Sequence, residues 1–216
     1  MTGLLSTLFE NPLLFVVIAV ALLLSVTVHE FSHAYIAYKL GDPTAKDLGR
    51  LSLNPLAHLD PLGTLTLLLL GFGWGKAVPI NYYNLKNPKR DAALISLAGP
   101  ASNFGMAISL TVILKIVGLI VYSHASPTLS SGVSVMSTLL YPIILYNAVL
   151  GIFNLIPVEP LDGFKIVNGI LPPKMSVQWV QLAPYGIYIL ILLIVTGTTS
   201  RIIYPIVNLF VSILRL

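Results

Sequence analysis

The sequence of 216 residues contains no cysteine and very little charge. Without cysteine, the chain cannot use a thiol nucleophile, a structural disulfide or a thiolate metal ligand. Any zinc must therefore be held by histidine and carboxylate side chains. Only 9% of the residues are charged and 56% are hydrophobic, whereas about a quarter of the residues in a soluble domain are charged. We therefore expect an integral membrane protein whose surroundings are the lipid bilayer.

The formal net charge of +4 comes from a few lysines and arginines near the ends of apolar segments. In a membrane protein such residues report orientation, so the charge does not predict a nucleic-acid partner. No polar stretch is long enough to form a separate soluble domain. We therefore predict one membrane-embedded domain over residues 1–216, while the sequence leaves the oligomeric state open.

Five apolar stretches are candidates for helices that cross the hydrocarbon core, which is about 30 Å thick. They lie at residues 12–38, 92–122, 134–156, 178–197 and 201–214. The last stretch is short, so it is either a short crossing or an interfacial helix. The expected fold is an all-α polytopic membrane protein with about five to six transmembrane helices.

A further apolar run at 62–72 is too short for a full crossing. Basic residues flank it on both sides, and a crossing would place one basic cluster outside, against the positive-inside tendency. These residues are Lys46, Arg50, Lys76, Lys86, Lys89 and Arg90. The glycines around Trp74 favour a turn over a continued helix. We therefore predict a re-entrant loop or β-hairpin between the first and the next full span.

This arrangement predicts a multi-pass protein of the cell membrane with an external N-terminus. The segment 123–133 has no lysine, arginine, aspartate or glutamate and is predicted to be external. The segment 157–174 contains two lysines and is predicted to be cytoplasmic.

A His-Glu-Phe-Ser-His motif, residues 29–33, ends the first apolar stretch. His29 and His33 are four residues apart, so on a helix both imidazoles reach one zinc ion from the same face. Glu30 can act as general base toward a zinc-activated water. Ionisable groups at bilayer depth are costly and ask for a functional explanation. The motif predicts a metal-dependent hydrolase with its site in the membrane, on the cytoplasmic half of the first helix.

A catalytic zinc usually has three protein ligands, so one more residue is needed. His124 falls on the predicted external side and is set aside, whereas His58 is a weak candidate in a predicted cytoplasmic loop. The carboxylates of residues 154–163 are better candidates, because two prolines and a glycine break a helix there. Broken helices at membrane depth are where side chains face a polar site.

The motifs together resemble the site-2 protease family of intramembrane zinc metalloproteases, peptidase family M50. HEFSH is followed far downstream by NLIPVEPLDG at 154–163, and Gly99-Pro100-Ala101-Ser102-Asn103 matches the family's GPxxN position. The segments GKAVPIN (75–81) and NPKRD (87–91) fit the compact prokaryotic branch that lacks an appended PDZ or CBS domain. The resemblance covers most of residues 20–165.

By that resemblance, His29, His33 and Asp162 hold one Zn²⁺ per chain and Glu30 is the catalytic base. The chain departs from the family's downstream motif at Glu159, where a proline is common, and at Phe164, where a second glycine is frequent. Glu159 is therefore a possible accessory group, either at the interface or steering water toward the metal. His58 keeps a possible accessory role as well.

Three asparagines in apolar helices complete the predicted site. Polar groups in lipid seek partners, and by the resemblance Asn103 and Asn154 lie near the site, binding substrate or supporting a metal ligand. Asn147 precedes Asn154 by seven residues and shares its helix face. The predicted function is hydrolysis of peptide bonds in or near transmembrane segments of membrane protein or peptide substrates. The alternatives are a divalent-metal transporter and an inactive membrane scaffold.

Overall fold

Four long apolar helical segments dominate the structure, a computed structural model that describes residues 4–70, 73–123 and 127–214, with the side chains of 122–130 outside the description. Each of the four is long and apolar enough to cross a membrane, since the shortest, which includes one 3₁₀ turn, has 23 residues and about 20 apolar residues suffice for a crossing. They are Pro12–Lys39, Pro88–Val121, Ser131–Asn154 and Pro173–Val195. The all-α membrane architecture is therefore confirmed, while the number of crossings stays a prediction.

Ten α-helices are found within the described ranges, and short 3₁₀ turns connect some of them. The helices are α1 (Leu4–Glu10), α2 (Pro12–Lys39), α3 (Thr44–Asp47), α4 (Pro61–Leu70), α5 (Pro88–Ser123), α6 (Pro127–Asn154), α7 (Asp162–Ile170), α8 (Pro173–Val180), α9 (Gly186–Val195) and α10 (Thr198–Leu214). The predicted fourth span corresponds to α8 and α9, which the turn Ala183–Tyr185 joins. Helix α10 has 17 residues, so its full crossing also stays a prediction.

Local sequence sets both ends of α2. The Asn11 side chain accepts a hydrogen bond from Leu14 N at 3.0 Å, and Pro12 occupies the first turn, where its missing N–H costs nothing. Gly41, with φ of 108°, directs the chain away just after the helix. The histidine motif lies in the C-terminal half of one continuous helix.

The segment between α2 and α5 doubles back on itself. Leu59 pairs with Gly75 in an antiparallel bridge, and Lys76 N donates to His58 O at 2.8 Å. A Cβ on Gly63 would lie 2.1 Å from Trp74 O, so glycine lets the return lie directly against α4. The outgoing arm is a helix that contacts α1, and the returning segment, residues 73–81, is not helical. This geometry fits a re-entrant excursion, whose depth in a bilayer stays a prediction.

Helix α5 is the centre of the packing and contacts α2, α6 and α7. A hydrophobic cluster joins the end of α6 to α9 and α10 and includes Ile152, Leu190 and Ile203. Many large apolar side chains on the long helices are exposed, as expected where lipid, and not water, covers the outer surface. This packing brings the end of α2, the middle of α5 and the start of α7 together.

Candidate metal centre

His29 and His33 of α2 and Asp162 of α7 meet at one buried point. The two Nε2 atoms are 3.0 Å apart, and Asp162 Oδ2 lies 3.1 Å from His29 Nε2 and 3.3 Å from His33 Nε2. All three residues are less than a tenth exposed. Within the described part of the chain, they are the group of three residues that could hold a metal ion.

The hydrogen bonds at Nδ1 show which nitrogen of each imidazole carries the proton and which carries the lone pair. His29 Nδ1 lies 2.7 Å from Asn103 Oδ1, and His33 Nδ1 lies 2.7 Å from Ile95 O. Both oxygens are acceptors, so each Nδ1 carries the proton in the neutral ring and each Nε2 presents a lone pair. Two nitrogen lone pairs and a carboxylate oxygen converge on one point, an arrangement that is repulsive unless a cation lies between them.

This donor set fits zinc. Zinc takes imidazole nitrogen and carboxylate oxygen at about 2.0–2.2 Å in a tetrahedral arrangement, in which two ligand atoms are about 3.3 Å apart. The observed separations of 3.0 to 3.3 Å agree with that value. Asp162 Oδ2 is buried and has no hydrogen-bond partner among the described residues, as expected of an atom kept for a metal. Three protein ligands leave the fourth position for water or substrate.

Gly99 allows α5 to approach the two imidazoles. A Cβ on Gly99 would lie 2.5 Å from His29 Cε1 and 2.5 Å from His33 Nε2, closer than any van der Waals contact. A second glycine serves the third ligand, because a Cβ on Gly163 would lie 2.3 Å from Leu155 O. The start of α7 can therefore lie under the preceding turn, which places Asp162.

A chain of buried polar groups holds His29 from behind. Asn103 Nδ2 donates to Asn147 Oδ1 at 2.8 Å and to Ser25 O at 3.0 Å, so its Oδ1 is left to face the imidazole. Asn147 Nδ2 in turn donates to Ser25 Oγ at 2.8 Å. Asn103 and Asn147 are fully buried. The network joins α2, α5 and α6 and fixes both the tautomer and the ring orientation of His29.

Glu30 is half-buried and lies beside the three convergent residues without joining them. Its Oε2 accepts a hydrogen bond from Val78 N, in the returning segment, at 3.2 Å. A Cβ on Gly75 would lie 3.8 Å from Glu30 Oε1, so the second oxygen faces the same segment. The carboxylate is therefore held between its own helix and the returning segment.

Several predicted site residues lie outside this cluster. Asn154 Nδ2 donates to Leu150 O of its own helix at 3.0 Å. His58 is fully buried and its Nε2 lies 2.7 Å from Ser52 O. Glu159 lines a cavity of about 360 Å³ together with Lys89 and Lys165. His124 is outside the described residues.

Residues that the sequence analysis did not assign to the site include Gly163, Ser25 and Arg50. Arg50 was counted among the charges that flank an apolar run, yet it is only 6% exposed and bonds to the returning segment. Gly99 was noted only as part of a motif. These roles depend on close approaches between distant segments, for which hydropathy and residue spacing carry no signal.

Comparison with known proteins places the chain among metallopeptidases. The family model of peptidase family M50 matches residues 17–195. The chain is 39% identical over 194 residues to YwhC of Bacillus subtilis, named as a zinc metalloprotease, and the match covers 88% of this chain and 85% of the relative. It is 27% identical over 202 residues to Rip2 of Mycolicibacterium smegmatis, also named as a zinc metalloprotease, covering 91% and 73%. No solved structure gave a significant match.

Proposed function

Because the chain belongs to peptidase family M50 and is therefore a zinc metalloprotease, we propose that it cuts membrane protein substrates within the bilayer. The convergence of His29 Nε2, His33 Nε2 and Asp162 Oδ2 within 3.3 Å is the observation that carries this proposal. We assign these three residues as the ligands of one Zn²⁺ per chain. The family and its relatives favour peptide hydrolysis over metal transport.

Bound zinc supplies a Lewis acid that polarises a carbonyl oxygen and makes water nucleophilic near neutral pH. Glu30 performs the proton transfer: its carboxylate takes a proton from the attacking water and gives it to the nitrogen of the leaving amine. Its place next to His29 on α2 and the hydrogen bond that it accepts from the returning segment support this role. The hydrogen bond from Val78 N keeps the carboxylate oriented.

The buried network behind His29 supports the metal and does not contact substrate. Asn103 and Asn147 are fully buried, and their amide groups form hydrogen bonds with His29, with Ser25 and with each other. Such outer partners of metal-bound histidine typically contribute 10- to 100-fold in metal affinity or activity. We therefore assign both asparagines to orienting the ligand.

The substrate we propose is a transmembrane segment of another protein. A helix has its amide groups already hydrogen-bonded, so the segment must unwind locally before a peptide bond can be attacked. The non-helical backbone of the returning segment lies next to Glu30 and can pair with an unwound strand. We propose that water reaches the site from the cytoplasmic half of the membrane, a side that the positive-inside tendency of the basic residues around α3 and the start of α5 supports.

Cleavage of a purified transmembrane test substrate by the protein in detergent or proteoliposomes tests the proposal. Glu30→Gln keeps the shape of the side chain but cannot accept the water proton, so product formation should fall by at least about 100-fold. Zinc bound per chain should stay at the wild-type value. Full activity of Glu30→Gln would overturn the proposed role of Glu30.

A further inference from the structure

Arg50 is a buried cation that forms hydrogen bonds with the returning segment. Its guanidinium donates to Ala77 O at 3.3 Å and also to Lys76 O. Both acceptors are backbone carbonyls of consecutive residues, more than 25 positions away in the chain. The side chain is only 6% exposed. A buried charge in a membrane protein is costly, so its presence asks for a functional explanation.

The residue after these carbonyls is the one that holds Glu30. Val78 N donates to Glu30 Oε2 at 3.2 Å, and on the other side Lys76 N donates to His58 O at 2.8 Å. Three consecutive peptide units are thus fixed, from His58 and Arg50 at one end to Glu30 at the other. A shift of Lys76 or Ala77 would move the Val78 N–H away from the carboxylate.

The charges of Arg50 and Glu30 also link these two residues. No carboxylate lies within 4.0 Å of Arg50 in the part of the chain that the structure describes. Burial lowers the pKa of Arg50, and the negative charge of Glu30 offsets only part of that shift. Arginine stays protonated throughout the working range of an enzyme, so a permanent cation holds the two carbonyls of the returning segment.

We propose that Arg50 is a positioning residue for the general base, acting through the backbone of Lys76–Val78, which it holds so that the Val78 N–H orients Glu30. The inference rests on the proposed function, because it requires Glu30 to act in catalysis. The planar guanidinium offers two donors in a fixed fork, which matches two neighbouring carbonyls. A lysine ammonium keeps the charge but cannot reproduce that fork.

The test compares Arg50→Lys and Arg50→Gln with wild type in the cleavage assay, together with zinc content and the visible spectrum of the cobalt-substituted protein. We expect kcat to fall by about 10- to 100-fold in Arg50→Gln, as for other small misplacements of a catalytic group. The kcat of Arg50→Lys should lie between the kcat of Arg50→Gln and that of wild type. Zinc per chain and the cobalt spectrum should not change, because the three ligands are untouched.

Lys46→Gln is the matched control, since it removes one positive charge from an exposed residue of the same connection and should leave kcat unchanged. A double-mutant cycle in the Glu30→Asp background separates positioning from general loop stability. The shorter side chain already loses its contact with Val78, so Arg50→Lys should there reduce kcat by less than 3-fold.

Three results overturn the inference: wild-type kcat in both Arg50 variants, loss of zinc from folded Arg50→Lys, or an undiminished effect of Arg50→Lys in the Glu30→Asp background. Should Arg50→Gln not fold, Arg50→Lys and the cycle decide alone. The proposed function fails separately, if Glu30→Gln cleaves like wild type. An inactive Glu30→Gln together with a fully active Arg50→Lys removes only the role of Arg50.

Discussion

Gly99 brings α5 into contact with the two metal-facing imidazoles because it has no side chain. Any Cβ at this position would lie 2.5 Å from the Nε2 atom of His33, on the side where the metal ligands converge. The helix cannot retreat easily, because Ile95 O and Asn103 of the same helix hold the opposite ring nitrogens. The space for zinc therefore depends on one missing methyl group.

Gly99→Ala should abolish both zinc binding and cleavage, because the methyl group displaces at least one ligand. Gly105→Ala is the matched control in the same helix, since a Cβ there meets no atom within 4 Å. Alanine favours helix over glycine by about 1 kcal/mol, so the control should keep full activity and unfold no more easily. Zinc content of the two purified variants checks this, and wild-type zinc in Gly99→Ala would contradict it.

At the residue scale, the sequence predicted the candidate ligand residues better than the residues that hold them in place. His29, His33 and Asp162 lie together in the structure. The four-residue spacing predicts the two histidines on one helix face, whereas Asp162 is implied by the family resemblance. The support of His29 by Asn103 was one of two readings, and the geometry favours it over contact with substrate. Arg50 was not predicted, because its burial follows from tertiary packing.

At the element scale, Asp42 ties the end of α2 to the segment that leads into α5. The carboxylate is fully buried and accepts hydrogen bonds from Thr44, from Asn81 N at 2.7 Å and from Asn84 Nδ2 at 2.8 Å. Burial alone would raise the pKa of Asp42, but the bonds from Thr44, Asn84 and Asn81 lower it below its ordinary value. The returning segment is therefore anchored at its far end as well.

The lowered pKa predicts how the stability of this link depends on pH. The link is fully present above about pH 4, the ordinary range of an aspartate, and is lost as the pH falls through the lower pKa of the folded protein. Asp42→Asn should reduce the free energy of unfolding at pH 7 by on the order of 2 kcal/mol. It should also show a smaller loss of stability than wild type on acidification.

Thermal unfolding in detergent between pH 3 and pH 7 measures both effects. Asp47→Asn is the matched control, an exposed aspartate of the same connection, and should follow the wild-type curve. If Asp42→Asn unfolded at the wild-type temperature at pH 7, the link would carry no stability.

The excursion between α2 and α5 shows what the sequence could resolve at this scale. Charge placement and the glycines around Trp74 predicted a segment that turns back, and the pairing of Leu59 with Gly75 agrees with a return. The apolar run 62–72 did not predict the helical outgoing arm α4, since a short apolar run suits a helix or a buried strand equally. Contact with α1 is a tertiary feature and left no local pattern.

At the scale of the whole molecule, hydropathy predicted the long helices closely. The predicted stretch 12–38 corresponds to the helix Pro12–Lys39. The predicted stretch 134–156 ends two residues beyond the end of α6 at Asn154. The stretch 178–197 differs, because a turn at Ala183–Tyr185 interrupts it. Residue hydropathy reports how apolar a window is and does not detect a turn within it.

Orientation in the membrane gives a prediction for which the natural lack of cysteine is useful. Glu10 and Lys46 are exposed residues beyond opposite ends of α2. Glu10→Cys should react with a membrane-impermeant maleimide in intact cells, and Lys46→Cys should react only after the membrane is permeabilised. The wild-type chain, which has no thiol, is the blank. The reverse labelling pattern would place the metal centre toward the outside.

The central claim is that His29, His33 and Asp162 form the zinc site, and zinc per chain measures it most directly. The measurement compares wild type with Asp162→Ala and Glu159→Ala, since Glu159 lies three residues before Asp162 and outside the convergent group. We predict one zinc per chain in wild type and in Glu159→Ala, and no tightly bound zinc in Asp162→Ala. Wild-type zinc in Asp162→Ala, or its loss from Glu159→Ala alone, would contradict the account.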